Sequence, residues 1–150
     1  MSEMLSSQWH QIVITDEGGL SGASVAKFMT PIVRKIDVTA VVVADVLGAS
    51  PELLRYEKQL LSADDFLRRV ENATQYDWAF FFLYSNSPCR DLLNSDDKNL
   101  ILNADATVRL ADDYYFYVYT RNGTIASELC RRYPAAEYKL TEFAKLDVPY

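Results

Sequence analysis

Histidine, cysteine, paired carboxylates and a glycine-rich loop are the features on which chemistry could be built in this chain, and each lacks the spacing that chemistry needs. His10 is the one histidine, so multi-histidine metal sites and most histidine-based triads miss a required part. A Cys–His dyad pairing His10 with Cys89 or Cys130 has no local signature to support it. The two thiols read instead as small, half-buried hydrophobes in a reducing compartment. Acid pairs stand at Asp64-Asp65, Asp96-Asp97 and Asp112-Asp113. Two carboxylates could hold Mg²⁺ or divide acid and base roles. Adjacent residues, however, point apart on a strand and sit about 100° apart on a helix. Helix capping accounts for the first pair, a solvated loop for the second and a hairpin turn for the third. DEGGLSGAS (Asp16 to Ser24) follows a strand and opens a helix, the setting in which main-chain N–H groups bind phosphate. It has neither the G-x-G-x-x-G order nor a Gly-Lys-Ser/Thr, and a flexible turn is the simpler account. The sequence therefore predicts no cofactor, no metal site and no hydrolysis or group transfer that depends on His10.

The tyrosines are a different matter. ADATVRLADDYYFYVYTRNG (Ala104 to Gly123) reads as two strands folded back over Asp112 and Asp113, with four tyrosines between Tyr114 and Tyr119. A three-residue loop over Ala111 to Asp113 sets Leu110 against Tyr114. Ala106, Val108, Leu110, Tyr114, Phe116 and Val118 then share one face, and Asp105, Thr107, Arg109, Tyr115, Tyr117 and Tyr119 share the other. Side chains alternate with period two along a strand, so only an odd loop length keeps one face apolar. Asp113 suits the left-handed position such a loop requires. The outer face is either packed beneath a helix, each hydroxyl finding a partner, or exposed as an interface. From Ser85 to Tyr119 six aspartates face three basic residues, so the surroundings of this face are acidic.

The elements that must position these residues follow from pattern. Gln11 to Thr15 is a short β-branched strand. Val25, Phe28, Met29, Ile32, Val33 and Ile36 fall at helical spacing, with Pro31 either kinking that helix or restarting it from Thr30. Thr39 to Leu47 is a strand. Ser50-Pro51-Glu52 starts a helix whose extent through Leu60 and Leu61 is open, and Ser62-Ala-Asp-Asp65 caps another that ends near Ala73. Trp78 to Tyr84 is apolar on both parities, the mark of a central strand covered on both faces. Ser87-Pro88 starts a short helix, Leu100 to Leu102 reads as an edge strand, and Thr124 caps a last helix stopped by Pro134. Leu140, Phe143 and Leu146 give the tail points with which to dock. Strands and helices in this order predict an α+β domain, with mixed α/β as the variant. A single mixed or antiparallel sheet carries the helices, and the first half could form a βαβ unit.

At 150 residues, 49% hydrophobic and 13% aromatic, the chain is the size of one globular domain, residues 1–150, with a core of its own. No apolar run approaches the roughly 20 residues that span a bilayer. The opening MSEMLSSQWHQ lacks the basic start of a secretory signal, which with the two cysteines points to the cytoplasm. The net charge of −6 argues against nucleic acid and anionic membranes, and it is compatible with a basic protein partner.

With LADDYYFYVYTRNG closing a sheet in a small acidic domain that has no enzyme motif, the chain resembles bacterial immunity proteins, which neutralise a toxin of their own cell. The resemblance spans Trp78 to Arg132 at most and carries over no motif residue by residue. It implies a protein-binding inhibitor that covers a basic toxin, such as a nuclease, and it does not imply a particular fold. The binding candidates are Asp96, Asp97, Asp105, Arg109, Asp112, Asp113, Tyr115, Tyr117 and Tyr119. Two other roles fit the same sequence: a small-ligand or enzymatic domain using the Gly18–Gly22 loop, and an accessory subunit that dimerises through the hairpin. Self-association is otherwise left open.

Overall fold

A computed structural model describes residues 8–149; the first seven residues of the run read against a secretory signal lie outside it. The long apolar run forms the strand on which both sides of the molecule are built. In chain order the strands are β1 (Trp9–Thr15), β2 (Ala40–Ala49), β3 (Leu60–Ser62), β4 (Gln75–Tyr84), β5 (Ala106–Ala111), β6 (Tyr115–Thr120) and β7 (Glu137–Thr141). The helices are α1 (Gly22–Lys35), α2 (Ala63–Val70), α3 (Arg90–Leu93), α4 (Asp97–Asn103) and α5 (Gly123–Arg132), with 3₁₀ turns at Glu52–Tyr56 and Phe143–Lys145. All seven strands join one sheet in the order β3-β2-β4-β5-β6-β1-β7, and every neighbouring pair is antiparallel. The fold is α+β, with helices packed on a sheet. The βαβ unit does not form, because β4, β5 and β6 separate β1 from β2.

On β4, Ala79, Phe81 and Leu83 enter one core while Phe80, Phe82 and Tyr84 enter another on the opposite face. The first core lies under α1, α2 and α5. Ser21 caps α1 by accepting from the Ser24 N–H (3.1 Å), and Phe28 stacks on Phe116 with ring centroids 3.8 Å apart. The helix runs unbroken through Pro31. Ser62 caps α2 as its sequence predicts (3.1 Å to the Asp65 N–H), and Phe66 meets Phe81 edge to face. For α5 the cap is Asn122, whose Oδ1 accepts from Thr124 and Ile125, so Thr124 lies inside the helix.

The second core is covered by less. Leu100 and Ile101 are buried there on α4, not on an edge strand, and Tyr84 donates its hydroxyl to the Leu100 carbonyl at 3.2 Å. The tail completes the cover. β7 pairs with β1, the chain crosses beneath it, and Phe143 packs on Trp9 at 5.1 Å. Two other expectations are corrected. Leu60 and Leu61 belong to β3 rather than to a helix, and the turn after Pro51 is a 3₁₀ helix without a side-chain cap. Among the described residues, no helix is long and apolar enough to cross a membrane.

Truncating Phe81 or Phe82 removes a fully buried ring from one core or the other. Each Phe→Ala change should lower stability by about 3–5 kcal/mol, read as a large drop in Tm. An unchanged Tm in both variants would remove β4 from the centre of the fold.

Candidate functional site: an aromatic platform over a buried arginine

Asp112 and Asp113 turn the hairpin with φ of 51° and 66°, both in the left-handed region that aspartate tolerates better than most residues. The loop has the odd length the pattern requires but sits one residue further on. Ala111 pairs with Tyr115, Leu110 with Phe116, Arg109 with Tyr117 and Thr107 with Tyr119. Both faces keep the expected membership except at Tyr114, which the shift moves into the turn, exposed, instead of onto the apolar face.

Arg109 therefore shares a face with Tyr115, Tyr117 and Tyr119, and it is buried to 4% exposure. A guanidinium so far from water requires compensation. Its Nε donates to the Tyr119 hydroxyl at 2.9 Å and an Nη to the main-chain carbonyl of Asp147 at 3.2 Å. Its plane lies over the Tyr117 ring (3.9 Å to the centroid), with Trp78 also in reach (5.2 Å). Tyr119 in turn donates to the Asp147 carbonyl, and burial raises its phenol above the usual tyrosine range. Gln11 accepts from the Asp147 N–H at 2.7 Å. One residue of the tail thus fastens to three strands through Gln11, Arg109 and Tyr119.

The tail and α4 cover only part of this face. The rest is laid out by register. One row runs Phe80, Arg109, Tyr117, Val13 and Glu137 across β4, β5, β6, β1 and β7. The neighbouring row holds Ala111, Tyr115 and Thr15, with Leu47 and Trp78 paired on β2 and β4. Trp78, Tyr115, Tyr117 and Val13 are half-buried, and Leu47 is 62% exposed. The result is an open aromatic and aliphatic strip above a buried cation.

The structure gathers Arg109, Tyr115, Tyr117 and Tyr119 into one place and gives the candidate acids separate duties. Asp105 accepts from the Ser85 N–H at 2.6 Å and so ties β5 to the end of β4. Asp96 caps α4 through the Asn99 N–H at 3.0 Å. Asp112 is exposed at the turn, and Asp113 shares a hydrogen bond with Asp77 that holds its carboxyl above the ordinary range. Asp97 reaches the platform's edge. It faces Asp45, which sits at φ 55° in the β2 bulge between Ala44 and Leu47. Burial, then the hydrogen-bonded Asp45 carboxyl, push Asp97 up to about 6 against the pull of Lys58 at 3.5 Å. Sequence reasoning missed Asp45 and Leu47 altogether. The signal was present, since Val41 to Leu47 is interrupted by one acid where an unbroken strand would not have it.

The other residues with chemical potential are occupied. His10 accepts or donates through Nδ1 to the Tyr138 hydroxyl at 2.8 Å, and partial burial lowers its pKa. Cys130 packs at the edge of the core, whereas Cys89 is exposed rather than half-buried. Around the glycine loop the N–H groups of Gly18, Gly19, Leu20 and Gly22 donate to Asp16 Oδ1 and to the carbonyls of Asp16, Asp113 and Ala73. A Cβ on Gly22 would lie 2.1 Å from the Glu71 carbonyl oxygen, so close packing requires that glycine. These donors already serve the fold and form no phosphate cradle. Among the described residues, no group of three or more His, Cys, Asp or Glu is placed to hold a metal ion. Comparison with protein-family models, curated proteins and solved structures finds no match to this chain.

The Asp45–Asp97 pair makes stability depend on pH. Asp97 holds its proton more tightly in the folded chain, so this contribution is fully present below the unfolded carboxyl's pKa near 3.8 and is lost as pH rises through about 6. Asp45→Asn removes one carboxyl and keeps a residue that tolerates positive φ. The Tm advantage of Asp45→Asn over the parent chain should be small at pH 4 and grow up to pH 7. Parallel Tm–pH curves would contradict the pairing.

Proposed function

We propose that this chain is a protein-binding module that acts in the bacterial cytoplasm as an immunity-type inhibitor, covering a basic surface of a toxic partner. The observation that carries the reading is the half-exposed strip of Leu47, Trp78, Tyr115 and Tyr117, bordered by Asp45 and Asp97 at one end and Asp112 at the other. Large aromatics on a rigid sheet give contact area at low entropic cost and are the residue types that dominate interface energetics. Acids at the rim steer a positively charged partner and raise the association rate. The guanidinium of Arg109 is enclosed, so its role is to hold Tyr117 and Trp78 in place, and the charge offered to a partner is negative. Tyr119 supports the strip from beneath and is withdrawn from contact by its burial.

Two observations favour this reading over the alternative roles. The glycine-loop donors are used internally. The hairpin strands β5 and β6 are flanked by β4 and β1, so neither presents a free edge for dimerisation.

The test uses the proteins of the organism that encodes the chain. Immobilised chain should retain a basic protein whose expression alone arrests growth, and coexpression of the chain should relieve the arrest. Leu47→Asp and Tyr115→Ala, both at exposed or half-exposed positions, should keep the parent Tm. Each should accelerate dissociation by about tenfold or more if it removes a central contact. Asp45→Asn should slow association and flatten its salt dependence. Relief of arrest that is indifferent to Leu47→Asp and Tyr115→Ala would place the binding face elsewhere, and retention of no toxic basic protein would overturn the inhibitor reading.

A further inference from the structure

The sheet ends in two edges of different character. β3 offers three residues, while β7 offers the five of Glu137–Thr141, four of them exposed and the last half-buried. Exposed strand edges carry unpaired main-chain donors and acceptors and are ordinarily shortened, covered or charged. Among the described residues no strand pairs on its outer side, and two of its side chains are large: Tyr138 is 46% exposed and Leu140 52%. They lie opposite Ile12 and His10, on the helical face of the sheet, while Glu137 and Lys139 lie opposite Val13 and Gln11 on the other. His10 holds the Tyr138 hydroxyl at 2.8 Å, which fixes that ring at the edge.

The charges along this edge are self-complementary in one register. Two copies of β7 paired antiparallel about Lys139 would oppose two lysines, which is destabilising. Pairing about Leu140 would set Lys139 against Thr141 and leave Glu137 outside. Pairing about Tyr138 sets Glu137 of each copy against Lys139 of the other, Tyr138 against Tyr138, and Leu140 against Ala136. Glu137 and Lys139 are two residues apart and so direct their main-chain groups to the same side. The outward donors of one strand therefore meet outward acceptors of the other, whichever set β1 leaves free.

We propose that β7 pairs with β7 of a second copy of this chain, centred on Tyr138, to make one continuous sheet across the dimer. Two Glu–Lys pairs lie on one face and a Tyr–Tyr pair on the other. The strand is short, and the area it buries falls below that of a stable obligate dimer, so the association is reversible and concentration-dependent. It rests on a different part of the sheet from the aromatic platform, and its failure would leave the inhibitor reading untouched.

Sedimentation velocity on the full chain, from about 10 μM to about 1 mM to span weak association, should show a monomer–dimer equilibrium. Glu137→Lys and Lys139→Glu, both at exposed positions, should each weaken it by about tenfold or more, since each sets like charges opposite. The double exchange Glu137→Lys/Lys139→Glu should restore it to within about threefold of the parent, because only the direction of the two ion pairs is reversed. Thermal melts matching the parent's would show that the single variants remain folded. A chain that stays monomeric at the highest concentration overturns the proposal. So does a dimer that ignores the single changes, or a double variant no stronger than either single.

Discussion

The burial of Arg109 is the constraint on which the open face of this sheet depends. Taking a guanidinium out of water is expensive unless its donors and its charge are both answered. Among the described residues, no carboxylate is hydrogen-bonded to it. A phenol, a peptide carbonyl and two aromatic faces do the work, through Tyr119, Asp147, Tyr117 and Trp78. Cation–π contacts strengthen when desolvated, to about 2 kcal/mol or more. The arrangement therefore holds only while the tail stays in place and the rings stay stacked. Phenol and carbonyl also hold the charge without cancelling it, so the guanidinium continues to attract the electron-rich faces of the rings above it.

From that constraint the asymmetry of the molecule follows. One face of the sheet is closed by α1, α2 and α5 over a continuous apolar core. The other is closed at one end by α4 and by the tail, where Trp9, Phe82, Tyr84, Phe143 and Leu146 meet. The remaining end is left to the stacked rings themselves. Were that end apolar throughout, it would invite nonspecific association. Asp45 and Asp97 at its border make it acidic, and the raised carboxyl of Asp97 costs stability as the pH rises through about 6.

Much of this was legible in the chain. Trp78 to Tyr84 has no polar break and had to be covered twice, and the parity of the hairpin followed from keeping Arg109 off the apolar face. The cap at Ser62 sits where a side-chain oxygen precedes an amphipathic stripe. Other features were hidden by causes that can be named. Leu100-Ile101-Leu102 is too short for periodicity to separate helix from strand, and in the fold Asp96 caps the helix that carries it. β1 and β2 are adjacent in the chain and distant in the sheet, since β1 is paired by β6 and β7, which come last. The acid pair at the platform's border joins Asp45 to Asp97 across more than fifty residues, and adjacent acids in sequence gave no hint of it. The tail looked like a docking segment, but only the fold reveals that Asp147 binds Gln11, Arg109 and Tyr119 through its backbone.

The central claim is that a partner protein sits on the half-exposed rings above Arg109. The two tryptophans differ in a way that allows a direct reading: Trp9 is fully buried, and Trp78 is half-exposed within the platform. Acrylamide quenching in a Trp9→Phe background isolates Trp78, with the partner's own emission subtracted or its tryptophans replaced. Binding should shield Trp78, so that its quenching falls severalfold in the complex. A stable complex in which Trp78 is quenched as readily as in the free chain would contradict the account.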